Sequence, residues 1–333
     1  MLTKTTSPHL QARTLTDILA PVQPDLRAVE ARMKAVTMEQ HASLTYAIDH
    51  LLAAGGKRVR PAMTLLAARL FSAPRERSIA LAGAIEMLHT ASLVHDDLVD
   101  GSLLRRGLPT LNAQWTPAAT VLAGDFLFAR AAELAAEAES VPVMKAFART
   151  LMTIVNGELT QLFLGRGVAS RENYFRRIYG KTASLFAVAA EAPALLAEAE
   201  ANQIAAMRRY GEEAGMAFQI VDDILDFTSD ESHLGKPAGS DLRQGLITLP
   251  VLCYLDRNPD DPNLTQLLNG HAGEAALIEH VVETIRNSGA IEAARDEARA
   301  YARRAQAALA AIPDNEHRKA LHDLVEVLTE RDA

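Results

Sequence analysis

Two acidic stretches constrain this chain more than anything else in it. His95-Asp96-Asp97-Leu98-Val99-Asp100 follows the apolar pair Leu93-Val94, and Asp222-Asp223-Ile224-Leu225-Asp226 follows Ile220-Val221. A helix turns about 100° per residue, so the first and last carboxylates of each triplet share a face, with the middle one on its flank. Like charges at that spacing repel, and a fold gains nothing from them unless a cation lies between them. Hard divalent cations such as Mg²⁺ take oxygen ligands, often one or two carboxylates with phosphate oxygens completing the shell. The expected arrangement is therefore two facing acidic helix walls that hold Mg²⁺ and a diphosphate. One triplet alone reads more simply as an exposed acidic helix end. Two, each directly behind apolar residues, point to a shared metal site.

The rest of the chain has to build helices to carry these walls. From Leu15 onward Ala, Leu, Glu and Arg dominate, all good helix formers. Breaks fall at Gly55-Gly56, over 101–117, over 228–245 and over 259–270. No stretch alternates apolar and polar residues as a strand would. The expectation is a flexible tail over 1–14 followed by one all-α domain over 15–333, a single large helical bundle. Hydrophobic residues make up 49% and charged residues 23%, an ordinary globular balance. The net charge of −8 argues against nucleic acid as a partner. A single cysteine, Cys253, excludes an intrachain disulfide framework and fits a reducing cytoplasm. Neither a secretory signal nor a run of the roughly 20 apolar residues that span a bilayer is visible.

Basic residues are grouped to complement the acidic ones. Gly55-Gly56-Lys57-Arg58-Val59-Arg60-Pro61 joins a flexible turn, three cations and a helix start, a reasonable anion cradle. Arg105-Arg106 follows the first triplet, Lys181 follows Gly180, and Lys236 follows the second triplet by about ten residues. Each alone reads as a surface cation. Together they suit two diphosphates, one bound through Mg²⁺ and one by cations directly. His89 lies seven residues before Asp96 and on nearly the same face, although a lone histidine on an apolar helix is more often a core residue. Gln219 shares a side with Asp222. No Ser-His-Asp or Cys-His arrangement stands at a persuasive spacing, so the chemistry need not use a protein nucleophile.

Between Leu51 and Leu255 the pieces G-G-K-R-V-R-P, D-D-L-V-D-G-S-L-L-R-R-G-L-P-T, L-A-G-D-F-L, G-K-T-A, F-Q-I-V-D-D-I-L-D-F and L-G-K-P-A-G-S-D-L-R occur in that order. The chain thereby resembles the trans-isoprenyl diphosphate synthases, particularly the long-chain polyprenyl diphosphate synthases. The resemblance implies a helical bundle of the isoprenoid synthase type with a central active-site cavity, working as a homodimer. It implies that Lys57, Arg60, His89 and Arg106 hold isopentenyl diphosphate, and that Arg105, Lys181, Thr182, Gln219 and Lys236 face the allylic diphosphate. Asp96, Asp100 and Asp222 become the principal Mg²⁺ ligands, supported by Asp97, Asp223 and Asp226, with three ions present once substrate is bound. Asp96, Asp100, Asp222, Lys181 and Lys236 are the expected catalytic set. A transient membrane contact would serve release of a lipid product. The chain departs from the family pattern at Thr116, where glycine often follows the tryptophan, and at Leu246, where lysine is common.

In the implied mechanism, metal and basic residues stabilise the departing allylic diphosphate while the double bond of isopentenyl diphosphate attacks the cation. Product length follows from tunnel depth. Ala91 and Ser92 lie about one turn behind Asp96 and are both small, which favours an octaprenyl to decaprenyl product such as a quinone side chain. Leu127, Phe128, Met152 and Val155 are candidates for the tunnel floor, with ordinary core packing equally compatible. A shorter-chain synthase and a non-catalytic subunit of a heteromeric synthase are the alternatives within the family. A terpene cyclase would line its cavity with aromatics, and these are only 5% of the chain.

Overall fold

The computed structural model describes residues 13–35, 42–53, 55–164, 170–229, 238–268 and 275–331. Lys236 and most of the expected tail lie outside these residues. Helices follow one another as α1 (Leu15–Leu19), α2 (Gln23–Lys34), α3 (Ala42–Ala53), α4 (Val59–Leu70) and α5 (Arg75–Val99). A two-strand hairpin, β1 (Leu104–Arg105) and β2 (Leu108–Pro109), precedes α6 (Leu111–Gln114), α7 (Pro117–Ala136), α8 (Val141–Leu164) and α9 (Arg171–Ile178). After a π-helical turn, Tyr179–Ala183, come α10 (Ser184–Leu196), α11 (Ala201–Thr228), α12 (Ser240–Arg243) and α13 (Leu249–Leu255). The chain ends with α14 (Pro262–Leu268), α15 (Ala275–Asn287), α16 (Ala290–Ala308) and α17 (Glu316–Thr329). Helix on helix is the architecture, as the composition anticipates. No helix among the described residues is long and apolar enough to cross a membrane.

Thr14 caps α1, exchanging hydrogen bonds with Asp17 at 3.2 and 3.1 Å, a reciprocal box that satisfies two exposed donors. Arg13 pairs with Asp323 of α17 at 3.1 Å, so the first described residues already lie against the last helix, one position before the expected end of the tail.

Helix α5 is apolar almost all round from Ser78 to Ala91 and runs through the main core, with α7 and α4 packed along it. Beyond its exposed first turn, polar surface emerges only at its C-terminal end, where the first acidic triplet sits. Helix α11 joins two apolar clusters. Its first half (Met207, Tyr210, Ala214) belongs to the main core, and Ile220, Val221, Ile224 and Phe227 belong to a second one built with α9, α13, α15 and α16. Gly215 is required here, because a Cβ on it would lie 2.6 Å from the Ala183 Cα. That close approach sets Gln219–Asp226 beside the π turn carrying Lys181 and Thr182. π turns insert an extra residue and recur at functional sites.

Between β1 and β2 the hairpin turn places both Arg106 (φ 51) and Gly107 (φ 77) in the left-handed region. Two-residue hairpins favour this geometry because it matches strand twist, but it strains an arginine.

Candidate active site

Two adjoining cavities open where α5 and α11 lose their apolar faces. The first, about 580 Å³, is lined by Asp96, Arg105, Lys181, Thr182, Gln219, Asp222, Asp223 and Asp226 among others. The second, about 460 Å³, is lined by Lys57, Arg60, His89 and Arg106, together with Gly55, Gly56 and Arg331. The two cavities share Arg60, His89, Arg105, Arg106 and Asp222, whereas Lys57 lines only the second and Lys181, Thr182 and Gln219 line only the first. Asp97 and Asp100 line neither cavity, and Ala91 is fully buried in the core while Ser92 lines the first cavity.

The carboxylates differ sharply in what they touch. Asp96 accepts no hydrogen bond and makes no ion pair with its side chain among the described residues. Burial pushes its carboxyl up to about 7, with Glu158 and Asp100 adding to the rise and Lys181 opposing it. Asp100 ends α5 and is exposed. Asp97 is buried and held by Arg105 through three hydrogen bonds of 2.8 to 3.0 Å. In the second triplet, Asp223 accepts from the Tyr174 hydroxyl at 2.7 Å and from the Gln219 amide at 2.9 Å. Gln219 in turn accepts from Thr182 at 2.7 Å. Asp226 accepts from the backbone N–H groups of Ser240 and Asp241 at 3.2 and 3.1 Å, and so holds the start of α12. Asp222 is paired with Arg331.

Because these partners hold them apart, no three ligand atoms of the triplets gather within 4.8 Å of one another among the described residues. The only group there that does is His322, Asp323 and Glu326 on α17, an exposed set whose Asp323 is already engaged by Arg13. The donors nonetheless suit a hard cation: Asp96 and Asp100 have no partner among the described residues, and a divalent ion would relieve the raised Asp96 carboxyl. Asp97 and Asp223, expected as supporting ligands, are hydrogen-bonded here to Arg105 and to Tyr174 and Gln219.

The cations are arranged for anions. Arg60 packs against the Phe186–Phe218 pair, its guanidinium 4.7 and 5.8 Å from their ring centres. Burial lowers its pKa only to about 10, so it stays charged. One of its N–H groups faces the His89 Nε2 at 3.2 Å, and burial beside Arg60 and Arg106 drives His89 well below the usual imidazole range. His89 is therefore neutral and accepts from Arg60. The Nε atoms of Arg60 and Arg331 are buried donors without an acceptor, a deficit an anion would fill. Arg106 donates to the Gly55 carbonyl and packs on Gly56, where a Cβ would meet its guanidinium at 2.8 Å. Arg58, in the same run, is committed to Glu86 and Glu30 at 2.7 and 3.1 Å. Lys181 pairs with Glu158 at 2.9 Å beside Asp96.

A polyprenyl synthetase signature matches residues 41–285. The chain belongs to the polyprenyl synthetase family. It is 38% identical over 317 residues to an all-trans-nonaprenyl-diphosphate synthase (geranyl-diphosphate specific) of Rhodobacter capsulatus, covering 95% of this chain and 97% of that one. Identity to the octaprenyl diphosphate synthase of Escherichia coli is 36%, covering 91% and 95%. Among solved structures, a polyprenyl synthase from Caulobacter crescentus complexed with calcium and isoprenyl diphosphate matches with a TM-score of 0.91 at 38% identity, covering 97% of this chain and 99% of that one. The protein is a prenyltransferase, a polyprenyl diphosphate synthase.

Sequence reasoning missed several residues of this polyprenyl synthase site. Arg177 lines the first cavity and donates to the Ile247 carbonyl at 2.8 Å, one position after the Leu246 that stands where a lysine is common. Tyr174, Phe218 and Arg331 are also absent from the sequence-based set, and no local spacing announces them. His95 turns away to α7, its ring against Phe128 and its Nε2 3.2 Å from the Val121 carbonyl. Two tunnel-floor candidates are corrected. Met152 and Val155 are 61% and 43% exposed on the outer face of α8. They read as core because α8 is apolar on both faces.

Proposed function

We propose that the enzyme joins isopentenyl diphosphate head to tail onto an allylic diphosphate, with the two diphosphates in the two cavities. The observation that carries this reading is the ring of polar groups around the two adjoining cavities: Arg60, His89, Arg105 and Arg106 line both, Lys57 lines the second alone, and Lys181, Thr182 and Gln219 line the first with the aspartates. Mg²⁺, as up to three ions with substrate, would supply Lewis-acid stabilisation of the departing diphosphate and rest on Asp96, Asp100 and Asp222. Lys181 and Arg105 hold that leaving group from the protein side, aided by Lys236. The allylic C–O bond breaks, a C–C bond forms to the terminal carbon of isopentenyl diphosphate, and the departing diphosphate takes the proton lost as the new double bond forms. Phe186 and Phe218 keep water from this region and bury Arg60, which strengthens its hold on an anion.

A long product is favoured by the small side chain of Ser92, which lines the first cavity. We assign one prenyltransferase domain to 15–333 and a homodimer as the working form. Exposed Ala148, Met152, Val155, Leu159 and Leu162 repeat every three or four residues along α8, with Phe163 81% exposed beside them. A seam of that period suits a second copy of the same helix, and a lone chain would leave it in water. A cytoplasmic setting suits the single buried Cys253. The deciding experiment incubates purified protein with isopentenyl diphosphate, an allylic primer and Mg²⁺ and sizes the products. Chains of eight to ten isoprene units support the reading, and no condensation overturns it.

A further inference from the structure

Arg331 arrives at the site from the far end of the chain. It lies two residues beyond α17, whose Leu321, Leu324, Val325 and Leu328 are buried in the main core. Glu330, just before it, is tied to Arg299 of α16 at 3.3 Å. The Arg331 side chain is 12% exposed and is held three ways. It donates to the Asp222 carboxylate and to the Phe218 carbonyl, the latter at 3.1 Å, and its guanidinium lies 4.2 Å from the centre of the Phe218 ring. Its Nε remains a buried donor without an acceptor. Asp222 is the one carboxylate among the described residues that lines both cavities, and Arg331 lines the second with Lys57, Arg60 and Arg106.

Two requirements meet at this pair. A cation is already seated on Asp222, so the oxygen Arg331 occupies is not free for a metal. Lys57, Arg60, Arg106 and Arg331 share a cavity whose carboxylates are Asp222 and Glu86, and Glu86 is already paired with Arg58. These four cations repel one another until an anion enters. A diphosphate there offers Arg331 a doubly charged partner and fills its orphaned Nε. The geometry points to Arg331 as a positioning residue that occupies the metal ligand Asp222 in the empty enzyme and passes to the diphosphate when isopentenyl diphosphate binds, so that the two sites fill cooperatively. Reciprocity follows: metal on Asp222 displaces Arg331 toward the second cavity and improves its affinity for the diphosphate. This inference rests on the two-diphosphate reading above.

The test uses the full-length enzyme and Mn²⁺, whose free fraction is read by electron paramagnetic resonance, with and without isopentenyl diphosphate. Asp222→Asn corrects for ion held by the diphosphate alone. In the wild type isopentenyl diphosphate should tighten Mn²⁺ binding about 5-fold or more, within the usual range of coupling between sites. Arg331→Met keeps the stem over Phe218 and removes the charge. It should bind Mn²⁺ more tightly than wild type in the absence of diphosphate, lose the coupling, and raise KM for isopentenyl diphosphate with a smaller change in kcat. Arg331→Lys should restore part of the coupling. Equal Mn²⁺ affinity and undiminished coupling in Arg331→Met, in enzyme that still condenses its substrates, overturns the role of Arg331 and leaves the reaction assignment standing. A wild type that condenses nothing overturns both.

Discussion

Asp97 and Arg105 face each other across the end of α5, joined by three hydrogen bonds of 2.8 to 3.0 Å, with Asp97 almost wholly buried. The middle carboxylate of the first triplet thus orients an arginine of the cavity lining, and a positioning role predicts a different loss from a ligand role. Asp97→Asn should leave metal affinity nearly intact, cost ~1–3 kcal/mol of stability, and raise KM for the allylic substrate. Steady-state kinetics beside a metal titration separates the two roles. A loss of metal binding as large as that of Asp96→Ala would return Asp97 to the ligand set.

Asp96 carries a pH signature. Its carboxyl sits at about 7 in the folded protein against an ordinary 3.8, so the fold favours the protonated form. Its contribution to stability is complete below 3.8 and is lost as the pH rises through about 7. Metal-free Asp96→Asn should therefore melt above metal-free wild type at pH 8, with the gap closing toward pH 5. A chain of this size gains roughly 2–4 °C per kcal/mol. Added Mg²⁺ should raise the wild-type melting temperature and barely move the variant, which should also lack turnover. Melting curves that coincide at pH 8 would remove burial as the cause.

Ser92 and Ala91 now part company. Ser92 lines the first cavity with its hydroxyl bonded to the His89 carbonyl at 2.8 Å, whereas Ala91 is buried against other helices. Ser92→Phe should shorten the product while folding normally. Ala91→Phe should overpack the core and cost about 1–3 kcal/mol. Chromatography of the products shows the first effect, and unchanged chain length in Ser92→Phe would place the length determinant elsewhere.

Charge on the outer seam of α8 tests the dimer. Val155→Glu with Leu159→Lys introduces two charges into an apolar stripe without touching either cavity. Sedimentation should show a shift from dimer to monomer. A double variant that sediments like the wild type would assign that face to another use.

Much of this site was readable because its parts are local. Helical spacing alone puts Asp96 with Asp100 and Asp222 with Asp226, and the Gly55-Gly56 turn announces the cations after it. What escaped was set by distance along the chain. Nothing near residue 331 links it to residue 222, and Tyr174 meets Asp223 only because α9 packs on α11. Nor does spacing say which carboxylate of a triplet is occupied by a protein cation. Met152 and Val155 show a different limit: an apolar residue on a helix reads as core whether the neighbour is the same chain or another.

The π turn between α9 and α10 is a matter of reading frame. Tyr179–Ala183 joins two helices that would otherwise run on, and the turn carries one residue more than an α-helical turn would. Deleting a single residue within it would restore the regular repeat and rotate everything on one side by about 100° relative to the other. The Gly157–Gly180 and Gly215–Ala183 approaches could not survive that rotation, since each brings backbone against backbone. Substitutions of Lys181 or Thr182 should give folded, inactive enzyme, while a one-residue deletion at the same place should give no enzyme at all. This segment is thus tolerant of chemistry and intolerant of length.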